Sequence, residues 1–182
     1  MTEYTPLSYY PRSMSTANSF AQVLRDFRET ILNATVRLRD MTPEQSRSGS
    51  SEDGWAPIEI LGHLIDSAAN NHQRFVRAQF TDDLVFPGYE QDQWVSGQKY
   101  RDESWPDLIQ LWSSYNLHLV HVASVIPTDA LTKPRAAHTL DQIAFNWVDK
   151  NEAATLEYLI RDYVDHLQHH LNQIFDKDTQ HE

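Results

Sequence analysis

The amino-acid sequence predicts an all-α protein folded as a four-helix bundle, and two observations support this prediction. First, four long segments repeat apolar residues at the three-to-four-residue spacing of an amphipathic helix, whereas strand patterns are few. Second, the four segments are similar in length, and each gives a helix of about 33 to 40 Å. Matched helices with one apolar face each bury those faces by packing together, as in a bundle.

The domain organisation follows from length and composition. The chain has 182 residues, of which 40% are hydrophobic, and this is enough for one domain with its own core. We therefore expect a single domain over residues 1–182. Residues 1–14 carry Pro6 and Pro11 among several tyrosines, which predicts an extended N-terminal arm.

The first helix is predicted from Ser15 to Met41. Residues 42–54 after it are rich in Ser, Gly and charged residues and read as a loop. The apolar positions of this helix are Phe20, Val23, Leu24, Phe27, Ile31, Ala34 and Leu38.

The second helix is predicted from Trp55 to Phe80. Pro57 and Glu59 suit its first turn, because proline needs no hydrogen-bond acceptor there and a carboxylate interacts well with the helix dipole. Its apolar stripe consists of Ile58, Leu61, Ile65, Ala68 and Phe75.

A long connection, residues 81–104, separates this helix from the third. It contains aromatic residues without a steady period, and such loops often cover a site, so Tyr89 and Trp94 are candidates to close over a pocket. The third helix is predicted over Trp105–Ile126. Its inner side is predicted to hold Leu108, Leu111, Trp112, Tyr115, Leu119, Val122 and Val125.

The fourth long helix is predicted over Glu152–Phe175. Residues 127–151 before it are mixed and allow either a short extended pair or a brief helix. The buried positions predicted for the fourth helix are Leu156, Leu159, Ile160, Tyr163, Leu167, Leu171 and Ile174.

Charge and cysteine content exclude several classes of function. The formal net charge of -11 disfavours nucleic acid and anionic membranes, since binding to phosphates needs clustered Lys and Arg. The sequence contains no membrane-length apolar run and its start does not resemble a signal peptide, so we expect a cytoplasmic protein. The chain has no cysteine, so any metal must be bound by His, Asp or Glu.

Three histidines stand within five residues of the fourth helix. A helix turns by about 100° per residue, so His166 lies about 40° from His170 and about 60° from His169, and two of the three can chelate one ion. A polar stripe near the end of the helix is the alternative interpretation, because histidine interacts well with the dipole there.

A third metal ligand must come from another element. His63 is the best candidate, since it stands among apolar residues of the second helix, although a hydrogen-bonded core histidine is the common alternative. It begins a polar stripe with Asp66, Asn70 and Arg74, which either faces the core or is exposed to solvent. The remaining histidines are a competing pair on the third helix and three in surface or loop positions: His118, His121, His72, His138 and His181.

The sequence resembles the DinB/YfiT-like family of four-helix-bundle metal enzymes. The resemblance covers about residues 18 to 176 and is carried by "WAPIEILGHLIDS" followed by "NNHQRF", by "PGYEQDQWV" and by "DHLQHHLNQI". In that family a histidine of the second helix and an H-x-x-x-H pair of the last helix bind a divalent metal. The resemblance therefore implies that His63, His166 and His170 are the ligands and that His169 is a neighbour. The bacillithiol-transferase-like branch has "HHxxDS", where this chain has Gly62 in place of the first histidine.

The expected function is that of a metal-dependent enzyme with a small-molecule substrate. Three imidazoles leave a coordination position open, as catalytic ions require; zinc is the expected metal, and nickel or iron are alternatives. Asp66 is predicted to orient a ligand histidine or accept a proton, and Arg74 to hold an anionic group.

The resemblance favours transfer of a low-molecular-weight thiol, such as bacillithiol, to a small electrophile, with hydrolysis as the alternative. A non-catalytic helical binding or assembly module is a second alternative. The first helix could also form the interface of a homodimer.

Overall fold

The computed structural model describes residues 19–49 and 54–175, and within these ranges the regular structure is helical. The predicted N-terminal arm and His181 lie outside the described residues. Two isolated bridges, which join Leu84 to His138 and Arg135 to Ala154, are the β-type pairings in the described ranges. The helices are α1 (Phe20–Asp40), α2 (Pro43–Arg47), α3 (Pro57–Arg77), α4 (Gln91–Gln98), a 3-10 turn (Tyr100–Asp102), α5 (Trp105–Ser124), α6 (Thr128–Thr132), α7 (Leu140–Ile143) and α8 (Leu156–Phe175).

The four long helices α1, α3, α5 and α8 form the predicted bundle. Their ends differ from the prediction where local chemistry stops the helix. Ser19 caps α1 by accepting a hydrogen bond from the backbone of Gln22, so this helix begins later than expected. Ala154 pairs with Arg135 in a bridge, and α8 therefore begins at Leu156 rather than at Glu152.

Each connection contains short helices that the sequence pattern does not reveal. Thr42 and Gln45 form a reciprocal capping box that starts α2 inside the predicted loop. The long connection after α3 contains α4 and the 3-10 turn, and residues 127–151 contain α6 and α7 together with the two bridge segments. These helices are four to eight residues long, too short for their apolar residues to show a period.

The order of the long helices around the bundle differs from their order along the chain. Both α1 and α3 pack against α5 and against α8, so the order around the bundle is α1, α5, α3, α8. Ser67 meets His166, and Phe75 meets Tyr163, so α3 and α8 run antiparallel. This arrangement makes α3 and α8 neighbours.

The helix α3 is buried on almost every side. It contacts α5 and α8 and also α2, α4 and the 3-10 turn, and the nine consecutive residues 60–68 are all buried. The predicted apolar stripe therefore accounts for only part of the buried surface of α3. A polar side chain on this helix has to find its partner inside the protein or in a cavity.

The predicted inner face of α5 is wrong at two positions. Leu111 and Val125 are 50% and 61% exposed, whereas the polar Asn116 is fully buried. The buried face of α5 is rotated about the helix axis relative to the predicted face, because α5 packs between α1 and α3. Tyr163 donates a hydrogen bond of 2.5 Å to Asn116 Oδ1, which satisfies this buried amide. Within the described residues no helix is long and apolar enough to cross a membrane.

Candidate metal centre

Three histidines from two neighbouring helices meet at one point of the bundle. His63 comes from α3, and His166 and His170 come from successive turns of α8. One ring nitrogen of each lies within 4.8 Å of the others. His63 is completely buried, His170 is 7% exposed and His166 is half-buried. The structure thus brings together the three ligands that the sequence predicts.

The geometry of the three rings fits a metal ion. The Nε2 atoms of His63 and His166 lie 3.2 Å apart. Two imidazole nitrogens that bind one tetrahedral ion are separated by about 3.3 to 3.4 Å, which is close to this distance. His170 Nδ1 lies 2.7 Å from Gln173 Oε1, a contact that places the proton on Nδ1 and the lone pair on Nε2.

The protonation state of the ligands also fits. Burial, together with the smaller effect of the neighbouring His170, lowers the pKa of His63 to about 3. Burial, followed by the neighbouring His170, His63 and His169, holds the pKa of His166 well below its ordinary value. The imidazoles of His63 and His166 are therefore neutral near pH 7, which is the form that binds metal ions. His63 Nδ1 is buried and has no hydrogen-bond partner in the described ranges.

His169 is outside this group, although it is adjacent in sequence. Its side chain is exposed, contacts the ring of Phe145 and has Gln173 Nε2 within 3.2 Å of its Nε2. Phe145 also contacts the ring of His166, with ring centroids 5.5 Å apart. Phe145 therefore covers one side of the histidine group, and His169 lies at its rim.

The other histidines form no comparable group in the described ranges. His72 of α3 contacts His118 of α5, with ring centroids 5.1 Å apart, and His121 lies further away, with its ring centroid 6.3 Å from that of His118. His138 Nε2 lies 2.8 Å from the carbonyl oxygen of Glu152. The pair on α5 that competed with the α8 pair in the sequence therefore has no third ligand.

A cavity of about 580 Å³ opens beside the three histidines. His166, His169 and His170 line it, as do Arg74 and Asp162, whereas His63 is not among the lining residues. Trp55 lines the cavity and contacts the ring of His63, with ring centroids 5.1 Å apart. The cavity is large enough for a small-molecule substrate.

Comparison with known proteins identifies the family and agrees with the fold. Residues 26–174 match the DinB superfamily, which is most of the chain. The chain belongs to the DinB superfamily. Its fold is also similar to the solved structure of YfiT from Bacillus subtilis, which is described as a probable metal-dependent hydrolase with an unusual four-helix bundle topology. The TM-score is 0.69 and the identity is 19%, over 98% of this chain and 93% of YfiT. Among curated proteins, none matches the sequence.

The bacillithiol-transferase-like branch of the superfamily is not distinguished by these comparisons. The structure does explain why position 62 departs from the pattern of that branch. A Cβ atom added at Gly62 would overlap the ring of Tyr100, which lies against the helix at this point. The tyrosine thus occupies the space that a side chain at position 62 would need.

Asp66 faces the segment after α4 rather than the cavity. Its Oδ1 accepts hydrogen bonds from Gln98 Nε2 at 2.7 Å and from the Tyr100 hydroxyl at 2.8 Å. Its Oδ2 is buried without a partner in the described ranges, and burial raises its pKa. Asp66 is not among the residues that line the cavity. Tyr89 does line it, and its pKa is raised first by burial and then by the charge of Asp66.

Tyr89 is the part of the predicted aromatic loop that reaches the cavity. Its ring packs against Trp94, with centroids 4.9 Å apart, while Trp94 itself is 40% exposed and is not among the cavity residues. Burial raises the pKa of Tyr89, and the charge of Asp66 raises it further. The Tyr89 hydroxyl is therefore protonated at neutral pH.

One candidate functional residue, Asp162, was missed in the sequence. Asp162 precedes His166 by one helical turn, is 4% exposed and lines the cavity. Its oxygens accept hydrogen bonds from the backbone of Phe145 at 2.9 Å and of Asn146 at 2.7 Å. Burial raises its pKa to about 6. The i, i+4 spacing from His166 was the available signal, because it places both side chains on one face of α8.

Proposed function

We propose that this DinB-superfamily protein is a metal-dependent hydrolase of small molecules. The observation that carries the proposal is the convergence of His63, His166 and His170 within 4.8 Å beside a cavity of about 580 Å³. Neutral imidazoles from two helices are a typical ligand set for a catalytic divalent ion. The description of YfiT as a probable metal-dependent hydrolase supports the same assignment through the shared fold.

Zinc is the metal that we propose, with nickel or iron as alternatives. Imidazole nitrogens bind all three, so the ligand set alone does not select among them. A divalent ion bound by three protein ligands keeps a position for water or substrate, where it supplies Lewis acidity to a hydrolytic reaction.

The protein's own residues have separate roles in this proposal. The imidazoles bind the ion, and Trp55 and Phe145 keep bulk water away from two of them. Asp162 is the carboxyl group placed in the cavity, and a pKa of about 6 allows it to take up or release a proton near neutral pH. Asp66 would act indirectly, by positioning Tyr100, whose hydroxyl donates a hydrogen bond to it. Arg74 would bind an anionic group of the substrate.

Transfer of a low-molecular-weight thiol is the second candidate function. It is supported by the sequence segments shared with the bacillithiol-transferase-like branch and by a cavity with room for a thiol beside an electrophile. The chain has no cysteine, so the thiol would be a second substrate. Hydrolysis is preferred because it needs only water and agrees with the description of YfiT.

Both reactions can be tested in one experiment. The zinc-loaded protein is given a panel of p-nitrophenyl esters and anilides, and in parallel bacillithiol, glutathione or coenzyme A with a chloronitrobenzene. We expect metal-dependent hydrolysis that is lost in His170→Ala and kept in His169→Ala, the matched variant of the adjacent residue. Thiol transfer with this dependence, and no hydrolysis, would replace the first proposal by the second. A metal-loaded protein that is inactive in both assays would favour a non-catalytic binding or assembly module.

The quaternary state remains a separate prediction. Leu32 and Val36 are exposed apolar residues of α1, 44% and 60% accessible, on the helix proposed for a homodimer interface. Light scattering of the purified protein distinguishes a monomer from a dimer directly.

A further inference from the structure

Arg74 is a buried cation with unused hydrogen-bonding capacity. It is 7% exposed and lines the cavity. Its Nη2 donates to the carbonyl oxygen of Pro87 at 3.0 Å, and its Nη1 lies 3.4 Å from Asn71 Oδ1. A guanidinium group has five N–H donors. The described contacts use two of them.

Arg135 shows what a purely structural buried arginine looks like in the same protein. It is 2% exposed and donates to three backbone carbonyl groups, those of Lys133, Ala78 and Ala130. It is not among the residues that line the cavity. Arg74 differs because part of its guanidinium group is directed at a space that a ligand can enter.

The charge of Arg74 is not neutralised by an ion pair in the described ranges, where no carboxylate oxygen lies within 4 Å of its nitrogens. Burial lowers the pKa of Arg74, and Tyr89 and then Asp162 act against this shift, but the oxygens of Asp162 already accept hydrogen bonds from Phe145 and Asn146. An unpaired cation in a mostly buried position is unfavourable, and an anionic ligand would relieve this cost.

The guanidinium group of Arg74 lines the same cavity as His166 and His170. Because Arg74 contacts Asn71, its side chain points back along α3 towards His63. Ser67 Oγ lies 3.3 Å from Asn71 Nδ2 and 3.5 Å from His166 Nδ1, so Asn71 and Ser67 connect Arg74 to the histidine group. A ligand can therefore reach both sites with a few bonds between its anionic group and the group at the histidines.

The cavity also indicates which anion fits. Among the described residues that line it, Arg74 is the one Lys or Arg, whereas Asp92 and Asp162 are acidic. A single guanidinium group matches a carboxylate, which it can bind through two parallel hydrogen bonds. A phosphate monoester carries up to two negative charges and would meet these acidic residues with only one cation to balance it.

We propose that Arg74 binds the carboxylate of the substrate, and that the substrate class is a small monocarboxylic acid whose reacting group, an amide or ester a few bonds from the carboxylate, lies at the three histidines. The inference rests on the proposed hydrolase function for the identity of the reacting group. The carboxylate subsite itself depends only on residues of the chain.

The subsite can be tested on the metal-free protein by calorimetric titration with hippurate and with its uncharged amide, N-benzoylglycinamide. We expect hippurate to bind at least about tenfold more tightly than the amide, the size of one charge-assisted hydrogen-bonded pair. Arg74→Gln should remove this preference, and Arg74→Lys should restore part of it, because lysine keeps the charge without the planar fork. Arg77→Gln is the matched control, since this arginine stands three residues later on α3 and is exposed.

Three results would overturn the proposal. These are equal binding of hippurate and the amide by the wild-type protein, equal losses in Arg74→Gln and Arg77→Gln, and tighter binding of phenyl phosphate than of hippurate. If Arg74→Gln does not fold, two other measurements test the proposal. These are the preference of the wild-type protein for hippurate over the amide, and the size of this preference in Arg74→Lys compared with Arg77→Gln. A protein that binds hippurate through Arg74 but hydrolyses no ester or amide when loaded with zinc retains the subsite and loses only the proposed function.

Discussion

His63 and His166 place their Nε2 atoms 3.2 Å apart, although 103 residues separate them in the chain. The contact exists because α3 and α8, two long helices that are not consecutive, are neighbours in the bundle. The candidate metal site is thus positioned by the packing of two long helices rather than by a loop.

The first prediction concerns metal content. Protein purified without a nickel column should contain close to one divalent ion per chain, measured by inductively coupled plasma mass spectrometry. His63→Ala, His166→Ala and His170→Ala should each weaken metal binding by about 100-fold or more, because two imidazoles bind far less tightly than three. His169→Ala should bind metal as the wild type does. A strong loss at His169 with retention at His170 would contradict the ligand set.

The second prediction concerns pH. His63 titrates near 6.5 when unfolded, but its pKa is about 3 in the folded metal-free protein because it is buried. Between these values the unfolded chain binds more protons, so the free energy of unfolding should fall as pH falls below 6.5, by about 1.4 kcal/mol per unit from this residue. His166 acts in the same direction, and Asp162, whose pKa is raised to about 6, offsets part of the loss below pH 6.

Urea unfolding in the presence of a chelator, at pH 7.5, 6.5 and 5.5, measures this dependence. The decrease in the free energy of unfolding per pH unit should be smaller in His63→Gln than in the wild type. It should be unchanged in His121→Gln, where the replaced histidine is exposed. Equal slopes in His63→Gln and the wild type would show that burial of His63 does not govern the pH dependence.

The third prediction concerns the contact between Gly62 and Tyr100. Gly62→Ala should destabilise the protein by about 1 to 3 kcal/mol, because its Cβ overlaps the tyrosine ring and forces a buried segment to move. Gly97→Ala is the control, since a Cβ there meets no atom within 4 Å. Thermal unfolding measures both. The double variant Gly62→Ala with Tyr100→Ala should lose less stability than the sum of the single variants.

The fourth prediction concerns the rim of the cavity. Asp162→Ala removes the acceptor of the Phe145 and Asn146 N–H groups, so hydrogen exchange over residues 144–147 should accelerate by about tenfold or more. Asp165→Ala should change the exchange little, because Asp165 bonds only the exposed side-chain amide of Asn146 in the described contacts. Similar exchange in the two variants would show that Asp162 does not hold this rim.

The sequence predicted the bundle well because four long amphipathic segments carry a strong periodic signal. It failed for α2, α4 and the 3-10 turn, which lie in segments assigned to loops, and for the inner face of α5, where Asn116 is buried and Leu111 is exposed. Tertiary contacts decide such cases: Asn116 is buried because Tyr163 of another helix satisfies its amide. Polar residues that gain their partners from distant elements leave no pattern in the local sequence.

The candidate site could be predicted where its residues belong to a recognisable sequence motif. The spacing on α8 allowed two of its three histidines to bind one ion, and the family resemblance singled out His63, His166 and His170, which the structure brings together. The sequence could not show which of Asp66 and Arg74 faces the cavity, since both continue the polar stripe of α3. Only the fold directs Asp66 towards Gln98 and Tyr100 and places Arg74 along the cavity.

The overlap that a side chain at Gly62 would make with Tyr100 has an evolutionary consequence. Histidine at position 62 is incompatible with tyrosine at position 100 on this backbone, so a lineage can pass between the two arrangements only by changing both positions or the path of the segment after α4. Relatives with a paired histidine motif should therefore carry a smaller residue at the position of Tyr100. These two positions together, rather than the histidine motif alone, offer a criterion for sorting members of the superfamily into branches.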